Sequence, residues 1–118
     1  MLQTILNWVK QIAILSHDLS KEDRNLVRSE LVYAVKMTKV YFSKTSLDAA
    51  NYPPSIMTTL WQKAGRNIGR VDHPEIKILA KKIEHHKKPW TSPENIVEKE
   101  LTKNIYLLLE IETVLRNK

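Results

Sequence analysis

Lys63, Arg66, Asn67 and Arg70 stand at spacings of three, four and seven. On a helix of about 3.6 residues per turn that places them on one side. A row of cations can hold phosphate or carboxylate, because each guanidinium offers parallel N–H donors and each neutralised phosphate releases counterions. Further along, Lys77, Lys81 and Lys88 recur on one side of the next segment, with Glu84 and His85 among them. Lys63, Arg66, Arg70, Lys77, Lys81 and Lys88 are therefore the candidate anion- or nucleic-acid-binding residues. Charged, solvated helix faces are ordinary. What sets these apart is concentration: residues 36–88 carry eleven Lys or Arg against four acids, a surplus of seven, while the flanks nearly cancel to leave a net charge of +6.

Other chemistries find less to work with. The chain has no cysteine, so disulfides, thiolate metal sites and thiol nucleophiles are excluded together. His85 and His86 are adjacent and point about 100° apart on a helix, which prevents chelation of one metal by the pair, and His17 and His73 add no ligand spacing. No glycine-rich phosphate loop and no Gly-x-Ser-x-Gly elbow occurs. Glu98, Glu100, Glu110 and Glu112 read as solvated positions of the last helix, with Glu112 and Arg116 spaced for a surface pair. The sequence therefore leads us to expect no catalytic residue, no metal and no cofactor.

The elements that must position these residues read as helices. With 118 residues, 42% apolar and 27% charged, the chain has the composition of one globular domain, 1–118, and its two glycines are too few for a set of strand hairpins. Five helical segments follow from apolar period and punctuation. The first spans about Leu2 to Ser16, with Leu2, Ile5, Leu6, Val9, Ile12 and Ala13 as its stripe, widened by Trp8, Ile14 and Leu15. Ser20 and Asp23 form a capping box for the second, which runs to about Phe42 with two stripes. Val27, Leu31, Ala34, Val35 and Phe42 make one; Leu26, Tyr33, Met37 and Val40 make the other, which predicts a second packing neighbour. Ser43 to Pro54 is the long connection, and the third helix starts at its prolines with Met57, Leu60, Trp61, Ala64, Ile68 and Val71 inside. Gly65 and Gly69 suit close approach of a neighbouring backbone. Pro74 opens a fourth helix (Ile76, Leu79, Ala80 and Ile83 inside) that Pro89 ends. Thr91-Ser92-Pro93-Glu94 starts the last, which runs to about Leu115 with Val97, Leu101, Ile105, Leu108, Ile111 and Leu115 inside.

Two sharper readings compete for the basic middle. The Val71 to His73 turn offers a helix-turn-helix, although the third helix is longer than that motif uses. Ala64-Gly65-Arg66-Asn67-Ile68, with His73 six residues beyond Asn67, resembles the active-site stretch of the HEPN ribonucleases, small helical proteins whose site combines an Arg, a polar neighbour and a downstream His. The resemblance spans about ten residues, has a wider gap to the His, and places His73 beside Pro74 at a break. It implies that Arg66 stabilises phosphate charge and that His73 transfers a proton.

The expected architecture is an all-α, single-domain bundle of four to five mostly antiparallel helices, with the second and fifth as its spine. The expected function is a non-enzymatic binding or assembly protein that docks a macromolecular partner, a protein or a nucleic acid, through the basic face. A sequence-tolerant binder of RNA or DNA backbone is the alternative, and the HEPN-like ribonuclease the third reading. Trp8 and Trp90 are the candidate partner-interface residues, Trp90 at a corner between helices. The wide apolar arc of the first helix suggests a homo-oligomer. That segment has no basic start, no cleavage site and several polar interruptions, so neither a signal peptide nor a membrane span is expected, and the setting reads as cytoplasmic.

Overall fold

The computed structural model describes residues 2–43, 53–87, 90–91 and 95–116, and every regular element among them is helical. In chain order these are α1 (Leu2–Leu15), a 3-10 turn (Ser16–Asp18), α2 (Lys21–Ser43), α3 (Pro54–Ile68), α4 (Pro74–Glu84) and α5 (Glu98–Arg116). The all-α bundle expected from the sequence is what forms.

Its centre is α1. Ile5, Leu6, Val9, Ile12 and Ala13 recur every three or four residues and are all essentially inaccessible. Each such aliphatic side chain contributes about 1.5–3 kcal/mol on burial, which no other element matches over so short a span. The helix lies against α5, α4 and α2 together. The spine expected in α2 and α5 is thus displaced to the opening helix, because an arc that wide with a single charge must be covered on several sides. α2 buries Val27, Leu31, Ala34, Val35 and Phe42 as expected, but Leu26 and Tyr33 of its second stripe are exposed.

Local chemistry sets the helix ends. Ser20 Oγ accepts a hydrogen bond from Asp23 N at 3.3 Å and caps α2. Pro54 opens α3 behind an extended Pro53. His73 caps α4 through Nδ1, which accepts from Ile76 N at 3.2 Å, with Pro74 following in the first turn. α4 ends at Glu84, before the proline expected to stop it; Pro89 and the Ser92–Glu94 signal, like residues 44–52, lie outside the described residues. α5 begins only at Glu98. Val97 consequently sits outside the helix and is 65% exposed, and Ile105 is partly open as well, so neither is the inside residue the spacing predicted.

Successive helices reverse direction, as cross-contacts in opposite order show. Asn67 Nδ2 donates to Glu30 Oε1 at 2.9 Å while Trp61 Nε1 donates to Thr38 Oγ1 at 3.0 Å, so α3 runs against α2. Gly65 meets Ala80 and Glu84 while Lys77 reaches Gly69, so α4 runs against α3. A Cβ on Gly65 would stand 2.7 Å from the carbonyl oxygen of Ala80 and 2.8 Å from Glu84 N. The approach anticipated for the glycine pair therefore occurs at Gly65, where only a glycine lets the two backbones touch.

A candidate anion-docking face on α3 and α4

With Met57, Trp61, Ala64 and Ile68 turned inward, helical geometry turns Lys63, Arg66 and Arg70 outward, and all three are exposed. On α4, Ala80 faces α3, Lys77 and Glu84 flank it at spacings of three and four, and Lys81 follows it directly. Lys77 and Glu84 both contact α3, at Gly69 and Arg66 respectively, so Lys81 lies between them on the same side. Arg66 and Lys77 thus lie on the α3–α4 seam, Lys63 borders the α2–α3 side of α3, Arg70 follows the end of α3, and Lys81 is exposed on α4. Lys88 lies outside the described residues.

These five are not equivalent. Lys63, Arg70 and Lys81 are exposed and form no ion pair among the described residues. Arg66 Nε donates to Glu84 Oε2 at 3.2 Å, although 66% of its side chain remains exposed. Lys77 is half-buried, and its Nζ donates to the Gly69 carbonyl at 3.0 Å. That carbonyl belongs to the end of α3, where the helix dipole favours a cation, so Lys77 is committed to the fold before it is available to a ligand. One of its three N–H donors therefore ties α4 to α3.

The residues of the ribonuclease resemblance have separate employments. Arg66 pairs with Glu84, Asn67 donates to Glu30, and His73 Nδ1 accepts the Ile76 amide as a helix cap. No hydrogen bond joins Arg66 to His73. Among the described residues no group of three His, Asp or Glu side chains comes together in a form that could hold a metal.

The two expected interface tryptophans have found partners inside the chain. Trp90 is 6% exposed, edge-on to Tyr41 with ring centroids 6.0 Å apart, while Tyr41 donates its hydroxyl to the Thr91 carbonyl at 2.8 Å. It closes a corner rather than awaiting a partner, because an indole beside a cap is better covered by the nearest ring than left wet. Trp8 is half-buried; His86 meets it edge-on at 5.8 Å and Lys82 Nζ lies 5.8 Å from its ring. The arc of α1 that suggested self-association is likewise consumed by α4, α5 and α2, leaving Ile14 as its exposed aliphatic residue among those described.

Comparison of the chain with protein-family models, with curated proteins and with solved structures gave no match. Among the described residues no helix is long and apolar enough to cross a membrane.

The sequence reading missed the outer seam between α2 and α3. Ser29, Glu30, Tyr33, Leu60 and Lys63 surround a cleft there of about 220 Å³ floored by Ala34 and Ala64. A signal for it was present: α2 does pack against more than one neighbour, as its second row of Leu26, Tyr33, Met37 and Val40 predicted, but Leu26 and Tyr33 of that row stay exposed.

Proposed function

We propose that this chain is a non-enzymatic docking protein that meets a negatively charged macromolecule through the outer face of α3 and α4. The reading rests on one observation: Lys63, Arg70 and Lys81 are exposed and, among the described residues, without an ion pair, while Glu84 is paired to Arg66 and Glu30 to Asn67. Such a face raises the local concentration of anionic partners and speeds their encounter. The cytoplasm, which requires no disulfide of a cysteine-free chain, is the setting this reading assigns.

The test is titration of the purified protein with single-stranded RNA, duplex DNA and polyglutamate at several salt concentrations. Binding is expected to weaken with salt, and to fall about tenfold or more when Arg70 and Lys81 are both reversed to Glu. Both side chains are exposed, so the variant keeps its helical circular dichroism. Affinity that survives the double reversal would remove the face from consideration.

A further inference from the structure

The seam between α2 and α3 is pinned at depth and open at the surface. Inside, Trp61 Nε1 donates to Thr38 Oγ1 at 3.0 Å, and about two turns away Asn67 donates to Glu30. Outside, the facing side chains are Ala34 and Ala64, too small to close the gap, and the cleft above them is about 220 Å³. That is less than the about 300–1,000 Å³ of pockets that enclose a small molecule, and it matches the insertion of one bulky side chain. The rim carries exposed apolar surface: Tyr33, 58% exposed, and the half-buried Leu60 both line it. Lys63 and Glu30 stand at the same rim, with Arg66 on the adjoining outer face of α3 and Arg70 just past its end.

Charge and shape select the occupant. A second copy of this chain would set the row Lys63, Arg66 and Arg70 against its own image, and the whole molecule carries +6. A nucleic acid would use the cations, but its bases stack on flat rings, and the cleft offers one tyrosine and sets the Glu30 carboxylate beside it. A protein segment with a large apolar residue between carboxylates satisfies both halves of the site. We propose that the α2–α3 cleft receives one large apolar side chain from an acidic segment of a protein partner. Ala34, Ala64, Leu60 and Tyr33 enclose that side chain, and Lys63 pairs with a flanking carboxylate. Glu30, one of whose oxygens already accepts from Asn67, accepts a backbone N–H of the segment. The proposal rests on the anion-facing reading of α3 and α4 and narrows it to a partner class and an anchor point.

Selection of a displayed library of short random peptides on the folded protein, alongside a single-stranded RNA oligonucleotide, tests it. The recovered peptides are expected to carry Leu, Ile, Phe or Trp flanked by Asp or Glu. Their affinity should fall about tenfold or more with Tyr33→Ala, with Lys63→Glu, or when the peptide's apolar residue becomes Ser, and should hold within about twofold with Lys103→Glu, an exposed position on α5. Tyr33 and Lys63 are exposed, and amide exchange of the α2 core verifies that both variants fold. Acidic peptides indifferent to Tyr33→Ala but lost on reversal of Arg70 and Lys81 would overturn the cleft and leave the basic face standing. Binding of RNA alone would overturn the protein partner and leave the face standing. If neither peptide nor RNA binds at low salt, the cleft and the face fall together.

Discussion

α3 has two seams, and they are built on opposite terms. Toward α4 it presents Gly65, and the absence of one Cβ lets main chain rest on main chain over Ala80 and Glu84. Toward α2 it presents Trp61 at depth and Ala64 nearer the surface, so the contact is carried by a large indole and its hydrogen bond to Thr38 while the outer edge stays open. Small residues therefore close one seam and leave the other gaping. What decides is whether a bulky side chain holds the interior apart: backbone contact at Gly65 leaves nothing to fill, whereas two alanines above a buried tryptophan leave a trough. The tight seam serves stability and carries the exposed cations; the loose seam offers a recess beside them.

The comparison breaks most readily at Gly65. Alanine is the better helix former by about 1 kcal/mol, so on propensity alone Gly65→Ala should stabilise α3. Its Cβ would lie 2.7 and 2.8 Å from main-chain atoms of α4, which cannot swing aside as a side-chain tip can. We expect a net loss of about 2–3 kcal/mol for Gly65→Ala, and more for Gly65→Val, read from the midpoint of urea unfolding. A neutral Gly65→Ala would show that the two seams are not different in kind.

Why the tight seam was legible and the loose one was not follows from what periodicity encodes. Met57, Trp61, Ala64 and Ile68 repeat at helical spacing, so their burial was readable, as were the stripe of α4, the Ser20 cap and the close approach at a glycine. Periodicity says which residues share a face, not what covers it. Leu26, Tyr33, Met37 and Val40 share a face that is covered only in part, with Leu26 and Tyr33 exposed, and Ile5, Leu6, Val9, Ile12 and Ala13 share one that three helices cover. Neither outcome is a property of the segment alone. The same holds for polar groups: Lys77 looks like any surface lysine until the Gly69 carbonyl stands 3.0 Å from it, and Glu112, expected to pair with Arg116, pairs with Lys39 at 3.0 Å across the α2–α5 boundary.

A smaller effect sharpens the account of the loose seam. Thr38 is fully buried, donates to the Ala34 carbonyl at 2.7 Å and accepts from Trp61 Nε1. Thr38→Val keeps the shape and strands the indole N–H in the core, at a cost of about 1–3 kcal/mol, whereas Thr38→Ser keeps the acceptor and loses one methyl. The seam is pinned by this bond if Val costs clearly more than Ser. Trp61 fluorescence reports the change directly, since its polar atom loses its partner.

The smallest stability change should come from the ion pair over the tight seam. Arg66 and Glu84 meet at 3.2 Å, with the arginine 66% exposed, and solvent-screened pairs of this kind are worth about 0–1 kcal/mol. Glu84→Gln preserves the side chain's size above the Gly65 contact and removes the carboxylate from among the cations. Urea unfolding should therefore move by less than about 0.5 kcal/mol, and more of that shift should vanish as salt is added. Binding should respond in the other direction: with Arg66 released and a negative charge removed, affinity for polyglutamate rises. Stability and affinity then separate in a single substitution. That separation is the signature of a contact that restrains the docking face without supporting the fold. If Glu84→Gln instead lowered affinity, the carboxylate would be holding Arg66 in its binding orientation, and the tight seam would be part of the site rather than its scaffold.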